Sequence, residues 1–164
     1  MHPTAERFQA RLRELGLDTE VRELADSTRT AQEAAAAIGV QVGQIVKSLV
    51  FVDHESPLLC LCAGDRRVDT EKLGAGVRQA KGGEVREATG FAIGGVPPLG
   101  HDRPVRTVVD ASLRRFETVW CAGGTPNAVF PVPTEALIAA IPDADVREIT
   151  TFCDADLGGA AERR

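Results

Sequence analysis

The stretch "QIVKSLVF", residues 44–51, places a lysine inside an otherwise apolar strand. Because side chains alternate along a strand, Lys47 points to the same face as Ile45, Leu49 and Phe51. One interpretation is that the stem of this side chain packs on the sheet while its ammonium group reaches water. The other is that the ammonium group lies in a pocket wall, where it meets a phosphate or carbonyl oxygen or orients water.

A glycine- and proline-rich segment, "AIGGVPPLGH" at residues 92–101, cannot form a regular helix or strand. Bare backbone at Gly94 and Gly95 would let a ligand approach closely. N–H groups there could also hold a carbonyl oxygen as it becomes an oxyanion. Pro97 and Pro98 would stiffen the segment. The alternative interpretation is a tight connection that binds no ligand.

Polar side chains that could contact a substrate occur in this segment and in a later turn, "GGTPN" at residues 123–127. The amide of Asn127 could donate and accept hydrogen bonds toward a substrate. It could equally serve the turn itself, beside Pro126. His101 is a loop residue, and a single histidine is weak support for a catalytic base. No nucleophile with a paired base is visible in the sequence.

Short helices and strands must position these segments. A helix is predicted from Pro3 to a stop at Gly16, and the capping-box pair Thr30 and Glu33 begins a second helix. Residues 64–77 are interpreted as a loop followed by a short helix. Further predicted strands are 19–24, 45–52, 57–62, 105–110, 118–124 and 127–132, and further helical segments are 81–91 and 133–141.

Strands and helices interleave without regular β-α-β spacing, which predicts an α+β fold: a single mixed-sheet domain flanked by short helices. The 164 residues are enough for one hydrophobic core. The domain is expected to span residues 1–153, and the polar residues 154–164 are expected to form a flexible tail.

Composition limits the functional classes. An apolar fraction of 43% indicates a globular protein. The sequence contains no apolar run of about 18 residues, so a transmembrane helix is not expected. The N-terminal "MHPTAERFQA" lacks the apolar region of a secretory signal, so a cytoplasmic location is expected. The cysteines form no C-x-x-C pair and no histidines cluster with them, so we expect no metal and no cofactor.

The net charge of −5 argues against broad electrostatic binding of nucleic acid, although it permits a grip on one end of an RNA. The phosphate-binding motifs of P-loop and dinucleotide-binding proteins are missing from the sequence, as is the nucleophile elbow of serine hydrolases. Nucleotide hydrolysis and ordinary serine-hydrolase chemistry therefore lose support.

Four motifs in order, "GVQVGQIVKSLVF", "GDRRVDTEKL", "TGFAIGGVPPLGH" and "CAGGTPNAVFPVPTEAL", resemble the YbaK/ProX family. Its members are free-standing relatives of the editing domain inserted in bacterial prolyl-tRNA synthetases. The resemblance covers residues 20–142. It implies a YbaK-like mixed α/β domain that hydrolyses the ester between a wrong amino acid and the 3′ end of a tRNA, often tRNA-Pro.

The resemblance also assigns residues. The family's strand lysine matches Lys47, and its Ser/Thr neighbour matches Ser48. Its G-x-x-x-P loop matches Gly94 to Pro98, and its variable polar residue after the late glycine turn matches Asn127. We therefore assign the catalytic role to Lys47, Gly94 and Gly95. Substrate binding is assigned to Ser48, Val96, Pro98, His101 and Asn127, with Leu49 and Phe91 as further candidates for the pocket wall.

The resemblance implies that the partner is the acceptor end of an aminoacyl-tRNA, with an aminoacyl-tRNA synthetase as an optional second partner and no membrane or metal. Two other functions remain open at this point. One is a non-catalytic module of the same fold that binds a tRNA end or a synthetase. The other is a small-molecule-binding domain that ignores RNA.

Overall fold

The computed structural model describes residues 1–25, 28 and 30–152, so the predicted tail and the boundary at residue 153 lie outside the described residues. The helices within this part are α1 Pro3–Glu14, α2 Ala31–Ile38, α3 Gly82–Thr89 and α4 Thr134–Ala140. The strands are β1 Arg22–Glu23, β2 Val46–Asp53, β3 Ser56–Ala63, β4 Arg66–Val68, β5 Val77–Gln79, β6 Arg106–Asp110, β7 Thr118–Ala122, β8 Ala128–Pro133, β9 Asp145–Arg147 and β10 Thr150–Phe152.

The two N-terminal helices begin where the sequence predicts. Pro3 occupies the first turn of α1, and Phe8 and Leu12 bury one face of that helix. The hydroxyl oxygen of Thr30 accepts a hydrogen bond from the backbone N–H of Glu33, 3.1 Å away, at the start of α2.

The largest sheet has five strands in the order β5-β2-β3-β6-β9. β2 and β3 form an antiparallel hairpin, whereas β3 pairs with β6, and β6 with β9, in parallel. The predicted mixed sheet is therefore confirmed. A second sheet has the order β1-β8-β7, and β4 pairs with β10 in a two-stranded ribbon. One parallel bridge, between Ile45 and Trp120, joins the start of β2 to β7.

The two faces of β2 bury different side chains. Val46, Val50 and Val52 belong to the main core, which also contains aromatic residues of α1 and β8. Phe51 lies on the opposite face, in a smaller cluster that Leu49 joins from its edge. Each face is thus covered, which explains why β2 is apolar on both sides.

Asp110 fastens the β4–β10 ribbon to the central sheet. Its side chain is 1% exposed at the end of β6. One carboxylate oxygen accepts a hydrogen bond from the backbone N–H of Ile149 at 2.8 Å, and the other accepts from the hydroxyl of Thr150 at 2.9 Å. The ribbon therefore has a fixed position over the smaller cluster. This position also fixes the contact between the ribbon and Lys47.

Several predicted elements differ from the observed ones. The predicted strand at 19–24 shortens to β1, and the segment 64–77 contains β4 and the start of β5 as well as a 3-10 turn at Thr70–Lys72. β9 and β10 were not predicted. These strands have two or three residues each, so they form because a neighbouring strand supplies backbone partners rather than through their own propensity. Among the described residues, no helix has both the length and the apolar character needed to cross a membrane.

Candidate functional site

Lys47 is buried inside the protein, with 2% of its surface exposed. It lies opposite Cys62 in the β2–β3 hairpin, and its ammonium nitrogen donates a hydrogen bond to the carbonyl oxygen of Arg66 in the ribbon. The ammonium group therefore does not reach bulk water, as the first interpretation would require, and one oxygen that it meets in the structure is a backbone carbonyl of the protein itself. Burying an ammonium group is unfavourable unless it is hydrogen-bonded, and the Arg66 carbonyl supplies one such bond.

Ser48 points to the other face of β2, because neighbouring strand residues alternate. It is 5% exposed, and its hydroxyl has no hydrogen-bond partner among the described residues. The structure thus does not bring the Ser48 hydroxyl to the same side of the strand as the Lys47 ammonium group.

The glycine-rich loop begins with a tight turn from Ala92 to Gly95. The N–H of Gly95 donates to the carbonyl oxygen of Ala92 at 3.0 Å, and Gly94 has a φ of +91°. This is the geometry of a type II turn, which requires glycine at its third residue. The Gly95 N–H is therefore already used. Within the described chain, the N–H groups of Gly94 and Val96, on either side of Gly95, donate to no protein acceptor.

The loop and the late turn, predicted separately, lie against each other. The N–H of Gly124 donates to the carbonyl oxygen of Gly95 at 3.0 Å. A Cβ atom on Gly95 would lie 2.8 Å from the Cα of Thr125, so only glycine allows this contact. Two of the three predicted segments are therefore brought together by direct backbone contact.

The third segment, around Lys47, is linked to this pair through the strand neighbours β2 and β7. From the parallel bridge between Ile45 and Trp120, both strands run in the same direction. Lys47 follows two residues after Ile45, and Gly123 follows three residues after Trp120, which corresponds to roughly 7 and 10 Å of strand. The lysine and the glycine turn therefore lie on the same side of this bridge.

Asn127 uses its side chain within its own turn. Its amide nitrogen donates to the carbonyl oxygen of Leu24 at 3.3 Å, and its amide oxygen accepts from the hydroxyl of Thr125 at 3.1 Å. Of the two interpretations of Asn127, the structure displays the turn role. The turn is thereby tied to the segment that follows β1.

The far end of the glycine-rich loop is fixed by the side chains of Arg11 and His101. The sequence did not predict the contact of Arg11 with this loop. Arg11 of α1 donates to the carbonyl oxygens of Gly100 and His101 at 2.9 and 3.3 Å. The ring nitrogen Nε2 of His101 lies 2.8 Å from the carbonyl oxygen of Pro97. Val96, Pro97, Pro98 and Leu99 are buried between these anchors. No spacing in the sequence relates Arg11 to a loop so far along the chain.

Acidification is expected to destabilise the protein through His101. Burial lowers the pKa of His101 below its ordinary value of 6.5. The unfolded chain therefore takes up this proton at a higher pH than the folded chain, so the free energy of unfolding falls as the pH drops below about 6.5. Thermal melts from about pH 7.5 to about pH 5.5 should show this slope in the wild type and a flatter one in His101→Gln.

The matched control for that experiment is His54→Gln. The side chain of His54 is 80% exposed, so its substitution should leave the slope as it is in the wild type. If His101→Gln and the wild type lose stability equally over this range, His101 is not the group responsible.

The chain matches the family described as "Aminoacyl-tRNA editing domain" over residues 25–140. A solved structure of a candidate trans-editing enzyme for prolyl tRNA synthetase superposes with a TM-score of 0.86. It is 46% identical, and the match covers 92% of this chain and 99% of that chain.

Relatives of known sequence agree with this match. The uncharacterized protein YwhH of Bacillus subtilis (strain 168) is 35% identical over 125 residues, which cover 73% of this chain and 80% of YwhH. EbsC of Enterococcus faecalis (strain ATCC 700802 / V583), a candidate Cys-tRNA(Pro)/Cys-tRNA(Cys) deacylase, is 23% identical over 74% of this chain and 77% of EbsC. A proline–tRNA ligase of Thermosipho africanus (strain TCF52B) is 34% identical over 59% of this chain and only 18% of the ligase.

Proposed function

Since this chain belongs to the aminoacyl-tRNA editing domain family and is an aminoacyl-tRNA deacylase, we propose that it hydrolyses the ester of a small amino acid, such as Ala, Ser or Cys, carried by tRNA-Pro or a related tRNA. It acts in trans in the cytoplasm, on the acceptor end of the mischarged tRNA, with a synthetase as an optional partner.

The observation that carries this proposal is the buried ammonium group of Lys47, in a strand whose next two side chains on that face, Leu49 and Phe51, are apolar. A fixed, desolvated cation is suited to an anionic or strongly polarised oxygen, because electrostatic interactions strengthen where water is excluded. We assign Lys47 to anchoring the phosphate of the terminal adenosine or to orienting the ester.

The proposed chemistry needs no protein nucleophile, because an aminoacyl ester is already activated. Water adds to the carbonyl carbon, and the carbonyl oxygen becomes an oxyanion. The N–H groups of Gly94 and Val96 hold that oxyanion, while Gly95 sets the loop against the Gly124 turn. The bond to the ribose oxygen then breaks. That oxygen takes up the proton lost by water, directly or through the neighbouring ribose hydroxyl, and the free amino acid and uncharged tRNA leave.

Selectivity for a small amino acid is proposed to come from pocket size. Val96 is 1% exposed and packs into the main core beside Phe91, so the loop backbone has little room to yield to a bulky side chain. A hydrophobic pocket separates substrates that differ by one methylene by about 1–3 kcal/mol. Discrimination among Ala, Ser and Cys is therefore expected to be graded, whereas large side chains should be excluded strongly.

The test is a panel of mischarged tRNAs: Ala-, Ser-, Cys- and Thr-tRNA-Pro, with Ala and Ser esters on other tRNAs. Ester loss is followed with the wild-type protein. Selective loss of a small amino acid from tRNA-Pro supports the proposal. No loss from any ester, together with a shift in tRNA mobility, would show a non-catalytic binding module instead. If neither charged nor uncharged tRNA raises the melting temperature, the protein does not bind tRNA at all.

A further inference from the structure

Phe152 is the most exposed large apolar side chain among the described residues, with 73% of its surface accessible. It lies directly opposite Arg66 in the β4–β10 ribbon. The guanidinium carbon of Arg66 is 3.8 Å from the centre of the Phe152 ring, so the guanidinium group covers the ring at van der Waals distance. An aromatic ring this exposed, with an arginine already stacked on one face, leaves its other face open.

Arg66 is itself largely covered by the protein, with 17% of its side chain exposed. Its buried Nε has no hydrogen-bond partner among the described residues, and it lies 3.9 Å from a carboxylate oxygen of Asp65. The carbonyl oxygen of the same residue accepts a hydrogen bond from the Lys47 ammonium group. The ring, the guanidinium group and the lysine of the proposed site are therefore connected through one residue.

We propose that Phe152 and Arg66 form a stacking platform for a nucleobase of the 3′-terminal CCA of the substrate tRNA. This inference rests on the proposed function, because it places the RNA end at Lys47. Single-stranded nucleic acid is commonly bound by stacking its bases on aromatic rings and guanidinium planes, with arginine also available to the backbone phosphates. Such a platform explains how an acidic protein holds one RNA end without a broad basic surface.

The platform is fixed rather than loosely attached. Thr150, in the same strand as Phe152, is bound by the buried carboxylate of Asp110. The ribbon register pairs Thr150 with Val68 and Phe152 with Arg66. The ring is thus held relative to the central sheet, and stacking a base on it would require little reorganisation of the protein.

A fluorescent base tests the contact without requiring hydrolysis. An uncharged tRNA acceptor minihelix with 2-aminopurine in place of the terminal adenine is titrated with the full chain, since stacking on an aromatic ring quenches this fluorophore. The wild type and Phe152→Tyr are expected to quench it. Phe152→Leu, which keeps apolar bulk without a π-face, and Phe152→Ala are expected to quench it weakly and to bind about tenfold less tightly, which is about 1.4 kcal/mol.

A second minihelix, with the fluorophore at the cytosine position next to the end, distinguishes which base stacks. Quenching by all four proteins to the same extent at both positions would overturn the platform. So would a Phe152→Ala variant that melts earlier but binds as tightly as the wild type, because the ring would then only pack on the chain. If the wild type quenches but hydrolyses no ester, the platform stands and the proposed hydrolysis fails.

Discussion

Replacing Lys47 by alanine is expected to lower single-turnover deacylation by at least about tenfold, which corresponds to some 1.4 kcal/mol of transition-state stabilisation. The lysine is 2% exposed and donates to the Arg66 carbonyl, so alanine removes the only part of β2 that presents a positive charge to that side of the sheet. The measurement is ester loss from mischarged tRNA with enzyme in excess, so that chemistry is observed without product release.

Lys72→Ala is the matched control for this experiment. Lys72 is an exposed lysine that also donates to a backbone carbonyl, that of Thr150 at 3.4 Å. It thus shares the charge and the kind of contact but not the burial. Its variant should deacylate like the wild type. A folded Lys47→Ala protein that deacylates at the wild-type rate would refute the catalytic assignment of Lys47.

Gly95→Ala is expected to lower deacylation by about a hundredfold, because a shift of about 1 Å at a reacting centre can have an effect of that size. The added methyl group would lie 2.8 Å from the Cα of Thr125 and 2.9 Å from the carbonyl oxygen of Gly124. Both are backbone atoms, which cannot rotate away, so the loop must move off the turn. Overpacking of this kind is also expected to reduce the free energy of unfolding by about 1–3 kcal/mol.

Gly83→Ala provides the comparison. A methyl group at Gly83, in α3, would meet no atom within 4 Å, so the same substitution is made there without a clash. It should leave deacylation unchanged and should not lower the melting temperature, since alanine suits a helix better than glycine. A Gly95→Ala variant with wild-type activity would show that the contact between loop and turn does not position the reacting groups.

The helices and the central hairpin could be predicted because their signals are local. Thr30 three residues before Glu33 is a local signature of a helix start, and the alternation from Val46 to Val52 depends on strand geometry. The ribbon could not be predicted in the same way. β4 begins with two arginines, and it is a strand because β10 pairs with it and Asp110 anchors the pair.

The site was predictable as a set of segments but not as an arrangement. Lys47 is unusual within its own strand, and Gly94 and Gly95 are unusual within their own loop, so each could be selected from sequence. Which glycine N–H remains available depends on the turn formed with Ala92. The Asn127 amide donates a hydrogen bond to the Leu24 carbonyl. This bond depends on the pairing of β1 with β8, a contact between distant parts of the chain.

The hairpin turn has a consequence for the order in which the site assembles. β2 and β3 are joined by His54 and Glu55, with φ values of 47° and 73°, the geometry of a two-residue type I′ turn. Such a local hairpin forms early, and it already carries Lys47. The contact of Gly95 with Gly124 joins residues that are distant in the sequence, and non-local contacts of this kind are slow to form. Substitutions at the hairpin turn should therefore change the folding rate, and those at Gly95 should mainly speed unfolding.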